Sequence, residues 1–319
     1  MSPDDIARGR DAHSPSQITW RGWRDILWRT WNEANEDRLM LIAAGTTYYL
    51  LLALFPALAA FVSLYGLFAD PVTIASHVSY LVGLLPQDGL DLIRDQLDAL
   101  AAKGNRTLSV SFAVAFVIAF WSANSGVKAL FEAMNIVYDE TEKRSFLGVN
   151  LLAFFYTFGA MAVGLALVTA VGIVPAALTF LHLSNQTDLI IRLARWPLIV
   201  LLIAIGISLV YRYGPSRERA KWRWVTWGGV FATAAWVVVS VGFSYYLENF
   251  AHYNVTYGSL GAVVGFMIWT WLSVLVLLVG GELNSEMEHQ TAIDSTTGPP
   301  QPMGERGAVM ADTLGHPVD

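Results

Sequence analysis

The chain contains no cysteine. That excludes disulfides, thiolate nucleophiles and cysteine metal sites. Histidine is scarce as well. The six histidines, at 13, 77, 182, 252, 289 and 316, show no HxxxH or HExxH spacing, so the pattern offers no ligand set for hydrolysis on a clustered metal. Neither a GxSxG elbow nor a P-loop occurs. Charge is thin: 14% of residues are charged, against about 25% in a soluble domain. The net charge of −6 has the wrong sign for a nucleic-acid binder. No enzyme, metal, cofactor or nucleic-acid partner is therefore expected. The apolar runs also lack the charged constriction of an ion channel.

What fills the chain instead is apolar. Of 319 residues, 55% are hydrophobic, and the mean hydropathy is +0.46. This is the composition of an integral membrane protein. The first apolar run begins at Leu39, after a long charged lead, and is too long for a signal-peptide core, so no cleavage is expected.

Residues 43–68, AAGTTYYLLLALFPALAAFVSLYGLF, organise the rest. The stretch exceeds the ~20 residues that a helix needs to cross a bilayer. Its first third carries a small residue and hydroxyls: Gly45, Thr46, Thr47, Tyr48 and Tyr49. Pro56 removes a backbone hydrogen bond near mid-span. One reading is a kinked packing helix whose small residues admit close neighbours. The other is a broken helix lining a polar cavity, where interrupted backbone is tolerated at membrane depth.

Spans are expected at about 39–68, 107–123, 147–178, 196–213, 225–247 and 259–279. Around them lie amphipathic pieces. In residues 18–32, Trp20, Trp23, Leu27 and Trp31 share one face at 100° per residue, with Arg21, Asp25 and Arg29 opposite. That pattern suits either an interfacial helix at the headgroups or a cap folded on the helix ends. Residues 90–100 and 127–139 show the same helical spacing. Gly228/Ala232, Gly229/Thr233 and the GxxxG at Gly261/Gly265 mark faces for close helix contact. From about residue 291 the tail is Gly, Pro and polar residues without periodicity, which predicts disorder. The domain organisation is thus a 1–37 N-terminal segment with its interfacial helix, a 38–288 membrane domain and a 289–319 disordered tail. The fold class is all-α: a six-span transmembrane helix bundle with short amphipathic interfacial helices.

Orientation follows from positive charge. With both termini cytoplasmic, fifteen of the 20 Lys and Arg residues lie inside, as the positive-inside rule requires. The protein is then a multi-pass protein of the inner membrane. This topology gives scattered polar residues a common depth. Thr46, Thr47, Tyr48, Tyr49, Asn124, Arg212, Glu282 and Asn284 all fall near the cytoplasmic leaflet, with Glu282 and Arg212 as natural partners. Glu248, Asn254 and Tyr257 gather at the outer end. Ordinary interfacial anchoring explains both groups. A substrate path explains them too, because ionisable groups near apolar segments are costly unless used or paired. With Pro56, these twelve residues are the candidate substrate-path set.

The segments LLALFPALAAFVSLYGLFADP, WSANSGVKALFEAMNIVYDE, YRYGP with its basic linker, and YNVTYGSLGAVVGFMIWTWLSVLVLLVGGELN together resemble the BrkB/YihY family of bacterial inner-membrane proteins. The similarity runs from about residue 35 to 288, in the family's order. The family's older label, ribonuclease BN, is regarded as a misassignment. The resemblance implies a six-span inner-membrane protein described as a candidate transporter, and it carries over no substrate or catalytic residue. Two functions are weighed. One is a transporter or lipid flippase for an anionic or amphiphilic substrate. The other is a non-transporting scaffold for envelope proteins. Membrane lipids are the expected partners of either, and the small-residue faces would also suit a homo-oligomer.

Overall fold

In the computed structural model, residues 2–65, 105–168, 185–249 and 261–318 are described. The described residues are helical apart from turns and one isolated bridge, Ala220 to Thr296. The helices are α1 (Pro3–Ala7), α2 (Trp20–Glu36), α3 (Leu39–Tyr65), α4 (Asn105–Val137), α5 (Phe146–Val168), α6 (Asn185–Tyr213), α7 (Trp222–Asn249), α8 (Gly261–His289) and α9 (Val309–Asp312). Four contain a stretch long and apolar enough to cross a membrane: Phe146–Val163, Trp196–Tyr213, Trp222–Leu247 and Val263–His289. A shorter apolar segment, Leu39–Leu52, belongs to α3.

Helices α3 to α8 stand as a ring in chain order. Each of α3 to α5 packs on the next, as does each of α6 to α8, and α8 returns to α3. Among the described residues, the seam between α5 and α6 is the loosest. There the Tyr156 hydroxyl donates to the Leu209 carbonyl at 2.7 Å.

Among the described residues, the buried apolar core sits towards one end of the ring. Leu39 and Ala43 of α3, Met134 and Val137 of α4, Tyr211 of α6, Ala232 of α7 and Leu278 of α8 form one buried cluster. Tyr211 is buried whole, and its hydroxyl is satisfied by the Leu277 carbonyl at 2.7 Å. Elsewhere the outer faces are apolar and bare, with Phe146, Leu147, Leu151, Phe155, Val238 and Val241 exposed. An apolar outside of this extent requires a lipid solvent.

Close helix contact is built on glycine where α7 meets α8. A Cβ on Gly228 would run into the Gly280 carbonyl oxygen and the Asn284 side chain. Gly229 similarly clears Ser208 of α6. The expected small pairs beginning at 228 and 229 are therefore used. Gly265 is different, since a Cβ there would meet only Leu247 at an ordinary 3.9 Å.

Three sequence expectations need correction. The span at 107–123 and the amphipathic segment at 127–139 are one continuous helix, α4. No proline interrupts residues 122–126, and Gly126 earns its place through a close approach to Leu50, which offsets its ~1 kcal/mol helix cost. Helix α6 carries the expected span at Trp196–Tyr213 but begins earlier, at Asn185, with Pro197 inside it.

The third correction is the tail, which is folded, not disordered. Thr291, Ser295 and Thr296 are buried. The Lys221 backbone N–H donates to the Ser295 carbonyl at 2.8 Å, and the Thr297 N–H to the Arg219 carbonyl at 2.8 Å. Arg306 holds the turn together by donating to the carbonyls of Ala311 (2.6 Å) and Ala292 (2.8 Å). Low hydrophobicity shows that a segment cannot build its own core. This one borrows the surface of others. A direct consequence is that trypsin should spare the Lys/Arg site at Arg306 in the folded protein. Fragment masses before and after thermal unfolding would check this; rapid native cleavage there would contradict the packed tail.

Helix α2 resolves its two readings into one arrangement. Thr19 caps it, accepting from the Gly22 N–H at 3.3 Å. Its Asp25, Ile26 and Arg29 face is buried against the end of the bundle, while Trp20, Trp28 and Trp31 are exposed. It is a cap on the helix ends that also turns tryptophan outward. The amphipathic segment 90–100 lies outside the described residues.

Candidate functional site

The last turns of α8 enter a layer made by α2, residues 138–144, residues 214–221 and the tail. Residues 280–288 are all buried, including three glutamates. Glu288 pairs with Arg217 at 2.5 Å, with the two side chains 0% and 1% exposed, and accepts from the Ser295 hydroxyl at 2.6 Å. The Arg217 guanidinium also lies over the Tyr138 ring, 4.5 Å from its centre. Glu286 pairs with Arg29, which donates further to Gln290 Oε1 at 2.8 Å and the His316 carbonyl at 3.1 Å. Glu282 accepts from the Ser285 hydroxyl at 2.9 Å and faces Asp37. Buried ions of this kind are tolerable only when paired and hydrogen-bonded.

Asp37 and Asp139 sit where α2 and α4 stop. The turns at Arg38 (φ 54°) and Asp139 (φ 52°) are left-handed, a common way to end a helix. Burial, and then the charge of Asp139, push the Asp37 carboxyl from its ordinary 3.8 up to about 6. Burial raises Glu33 and Asp139 as well, with Glu286 adding repulsion at both. The groups around Asp37 are Glu36, Asp139 and Glu282. A carboxyl raised on folding stabilises the native state below its unfolded pKa and loses that contribution as pH climbs through the folded value. The protein should therefore lose thermal stability between about pH 4 and pH 6.5 through this group. Asp37→Asn should flatten that slope and melt about 1–2 °C higher at pH 7.5, the shift that ~1 kcal/mol produces in a chain of this size. Parallel slopes for the two proteins would refute the assignment.

A cleft of about 390 Å³ opens beside this layer, at one end of the α5–α6 seam. Lys143, Arg144, Arg212, Arg217 and Arg219 line it, with Leu152 and Tyr213 as its apolar wall. Arg144 is held by Glu142 at 2.7 Å. Burial raises the Glu142 carboxyl, but hydrogen bonds from Arg144, Asn135 and Ser216 outweigh it and bring it down to about 2.

The candidate residues separate into several environments. Thr46 and Thr47 are on the packed face of α3, and the Thr47 hydroxyl donates back to the Ala43 carbonyl at 2.7 Å. Tyr48 and Tyr49 are exposed on the other side with Leu41 and Leu52, their rings edge-to-face at 5.6 Å. Helix α3 continues through Pro56 without interruption. Asn124 is buried on α4 and donates to Asn150 of α5 at 3.1 Å, where Lys128 also donates at 3.1 Å. Asn284 clasps α7, accepting from the Gly228 N–H at 2.8 Å and donating to the Val225 carbonyl at 3.1 Å. Glu248 falls in the last turn of α7, and Asn254 and Tyr257 lie outside the described residues.

The expected Arg212–Glu282 pair does not form. Arg212 donates to the Ala220 carbonyl at 2.6 Å and lies over Trp222, 4.5 Å from the ring centre. Glu282 turns to Ser285 and Asp37 instead. Among the described residues, Leu39, Ala43, Val274 and Leu278 fill the contact between α3 and α8. In the sequence, Arg217, Arg219, Lys143 and Arg144 stand out only as part of the positive charge assigned to the cytoplasmic side. Three glutamates within seven residues at the end of an apolar helix were the available signal for the ionic layer.

A helical ring with an apolar exterior and a polar layer over one end defines a multi-spanning membrane protein. The chain belongs to the BrkB family: the family model described as Virulence factor BrkB matches residues 30–304. It is 31% identical over 247 residues to the ribonuclease-like protein YfkH of Bacillus subtilis, covering 76% of this chain and 88% of that protein. It is 24% identical to the UPF0761 membrane protein Bxeno_A3061 of Paraburkholderia xenovorans, over 80% of this chain and 58% of the relative. The UPF0761 membrane protein RC1_0578 of Rhodospirillum centenum is 25% identical over 92% of this chain and 63% of its own length. The chain thus spans less than two thirds of these UPF0761 relatives. No solved structure matches it. Among the described residues, no three His, Cys, Asp or Glu side chains are grouped to hold a metal ion.

Proposed function

We propose that this protein moves an anionic or amphiphilic substrate across or within the inner membrane, as a transporter or lipid flippase, with both termini cytoplasmic. The observation that carries the proposal is the α5–α6 seam. Among the described residues it is the loosest contact in the ring, exposed apolar side chains of α5 flank it, and a basic cleft stands at its end. A substrate with a charged head and an apolar body could enter such a seam sideways from lipid. Of the candidate residues singled out above, Arg212 lines the cleft and is the member of that set this reading uses.

The test is movement of fluorescent anionic lipid analogues in vesicles holding the purified protein. The native chain has no cysteine, so Tyr156→Cys with Leu209→Cys places the only two thiols across the seam. Bridging them with a bis-maleimide should abolish movement that the uncrosslinked variant supports. Movement no faster than in protein-free vesicles, or unchanged by the bridge, would refute the proposal. The dry α3–α8 contact favours the second reading, a scaffold for envelope proteins, and inactive but well-folded protein would support it.

A further inference from the structure

We infer that the basic cleft between residues 143–144 and 212–219 is a binding site for a phosphate group, whether on a lipid headgroup or free. The inference deepens the transport proposal and rests on its reading of the seam.

The cations of the cleft are unequally committed. Lys143 pairs with Glu140 at 2.6 Å, Arg144 with Glu142 at 2.7 Å and Arg217 with Glu288 at 2.5 Å. Among the described residues, Arg212 and Arg219 have no such carboxylate. Arg212 spends one hydrogen bond on the Ala220 carbonyl, and its Nε has no acceptor. Arg219 is exposed and lies over the Tyr213 ring, 5.1 Å from its centre. Both guanidinium groups lie over aromatic rings, contacts that use none of their N–H groups. Such a group is arranged to receive an oxyanion, because its fork of donors matches phosphate geometry and no reorganisation is needed on binding. Lys143 is half exposed and adds a movable charge. The cleft's one lining carboxylate is Glu218, whose residue is exposed and engaged through its backbone N–H to the Gly307 carbonyl at 3.1 Å.

The surroundings fit a headgroup. Leu152 and Tyr213 wall the cleft, and exposed Leu151 and Phe155 of α5 continue from it along the seam. A phosphate in the cleft would leave acyl chains lying on these side chains.

The purified protein is titrated with phosphatidic acid in neutral-lipid nanodiscs in one arm and with inorganic phosphate in the other. Bound lipid is read by native mass spectrometry, and bound phosphate by the rise in melting temperature. Saturable binding is expected in at least one arm, and the arm identifies the source. Arg219→Gln, at an exposed position, should weaken it about tenfold, which is about 1.4 kcal/mol. Arg212→Gln should do the same, while Arg21→Gln on the exposed side of α2 should not. No saturable binding in either arm, or equal loss in Arg21→Gln, would overturn the site in favour of diffuse attraction to basic residues. Binding that follows this pattern in vesicles showing no lipid movement would reject transport and leave the site standing.

Discussion

Glu288→Ala should cost the folded protein about 3–5 kcal/mol, the penalty for leaving a buried guanidinium without its counter-ion. Both side chains of the Arg217–Glu288 pair are shut off from solvent, and two further nitrogens of Arg217 already lack acceptors. Glu140 also acts on Arg217, but its carboxylate already pairs with Lys143. The Ser295 hydroxyl would lose its acceptor too, so the tail should loosen. The expected observations are a melting temperature in detergent lower by about 4–8 °C and tryptic cleavage at Arg306 under native conditions. Glu288→Gln should fall in between, because it keeps a hydrogen-bonding oxygen but not the charge. Arg217→Met combined with Glu288→Met should recover most of the loss, since replacing a whole buried pair by apolar groups is often neutral. A melting temperature for Glu288→Ala within 2 °C of the native protein would show that the pair is not buried as described.

Gly228→Leu is expected to abolish the folded bundle. Even one Cβ at this position collides with the Gly280 backbone and with Asn284. Backbone cannot step aside as a flexible side chain can, and overpacking alone costs about 1–3 kcal/mol. The Asn284 clasp on Val225 and Gly228 would be lost with it, at about 1 kcal/mol for each hydrogen bond. Size-exclusion chromatography should show aggregate in place of a single peak. Gly228→Ala should still fold, at reduced stability. The control is Gly159→Ala on α5, where a Cβ would meet nothing within 4 Å. It should be neutral or stabilising by up to ~1 kcal/mol through helix propensity. Equal behaviour of the two alanine variants would show that α7 and α8 do not approach each other as closely as described.

These contrasts show which features a sequence can announce. Long apolar runs announced helices, and each of α3 to α8 lies on an expected span because burial in lipid leaves the backbone no other solution. The tryptophan face of α2 and the small pairs on α7 were legible from helical periodicity. The partner of a charge was not. Arg212 and Glu282 lie on helices that end at the same depth, yet the choice among acceptors was made by local geometry at Ala220, Ser285 and Asp37. The tail was misread for a related reason: composition reports what a segment can do alone, and residues 290–318 fold only on other segments. The basic cleft was visible as residue types but not as a place, because it joins positions some 70 apart, as Arg144 reaching the Gly214 carbonyl illustrates.

The ionic layer also sets an order of events during synthesis. Arg217 leaves the ribosome 71 residues before Glu288, and Arg29 precedes Glu286 by 257. Helices α3 to α7 are therefore made while both arginines still lack these carboxylates. The layer can close only when the last stretch of chain is released. A nascent or prematurely terminated copy would carry open basic residues at the membrane surface, and quality-control proteases could tell it from a finished one by that exposure alone.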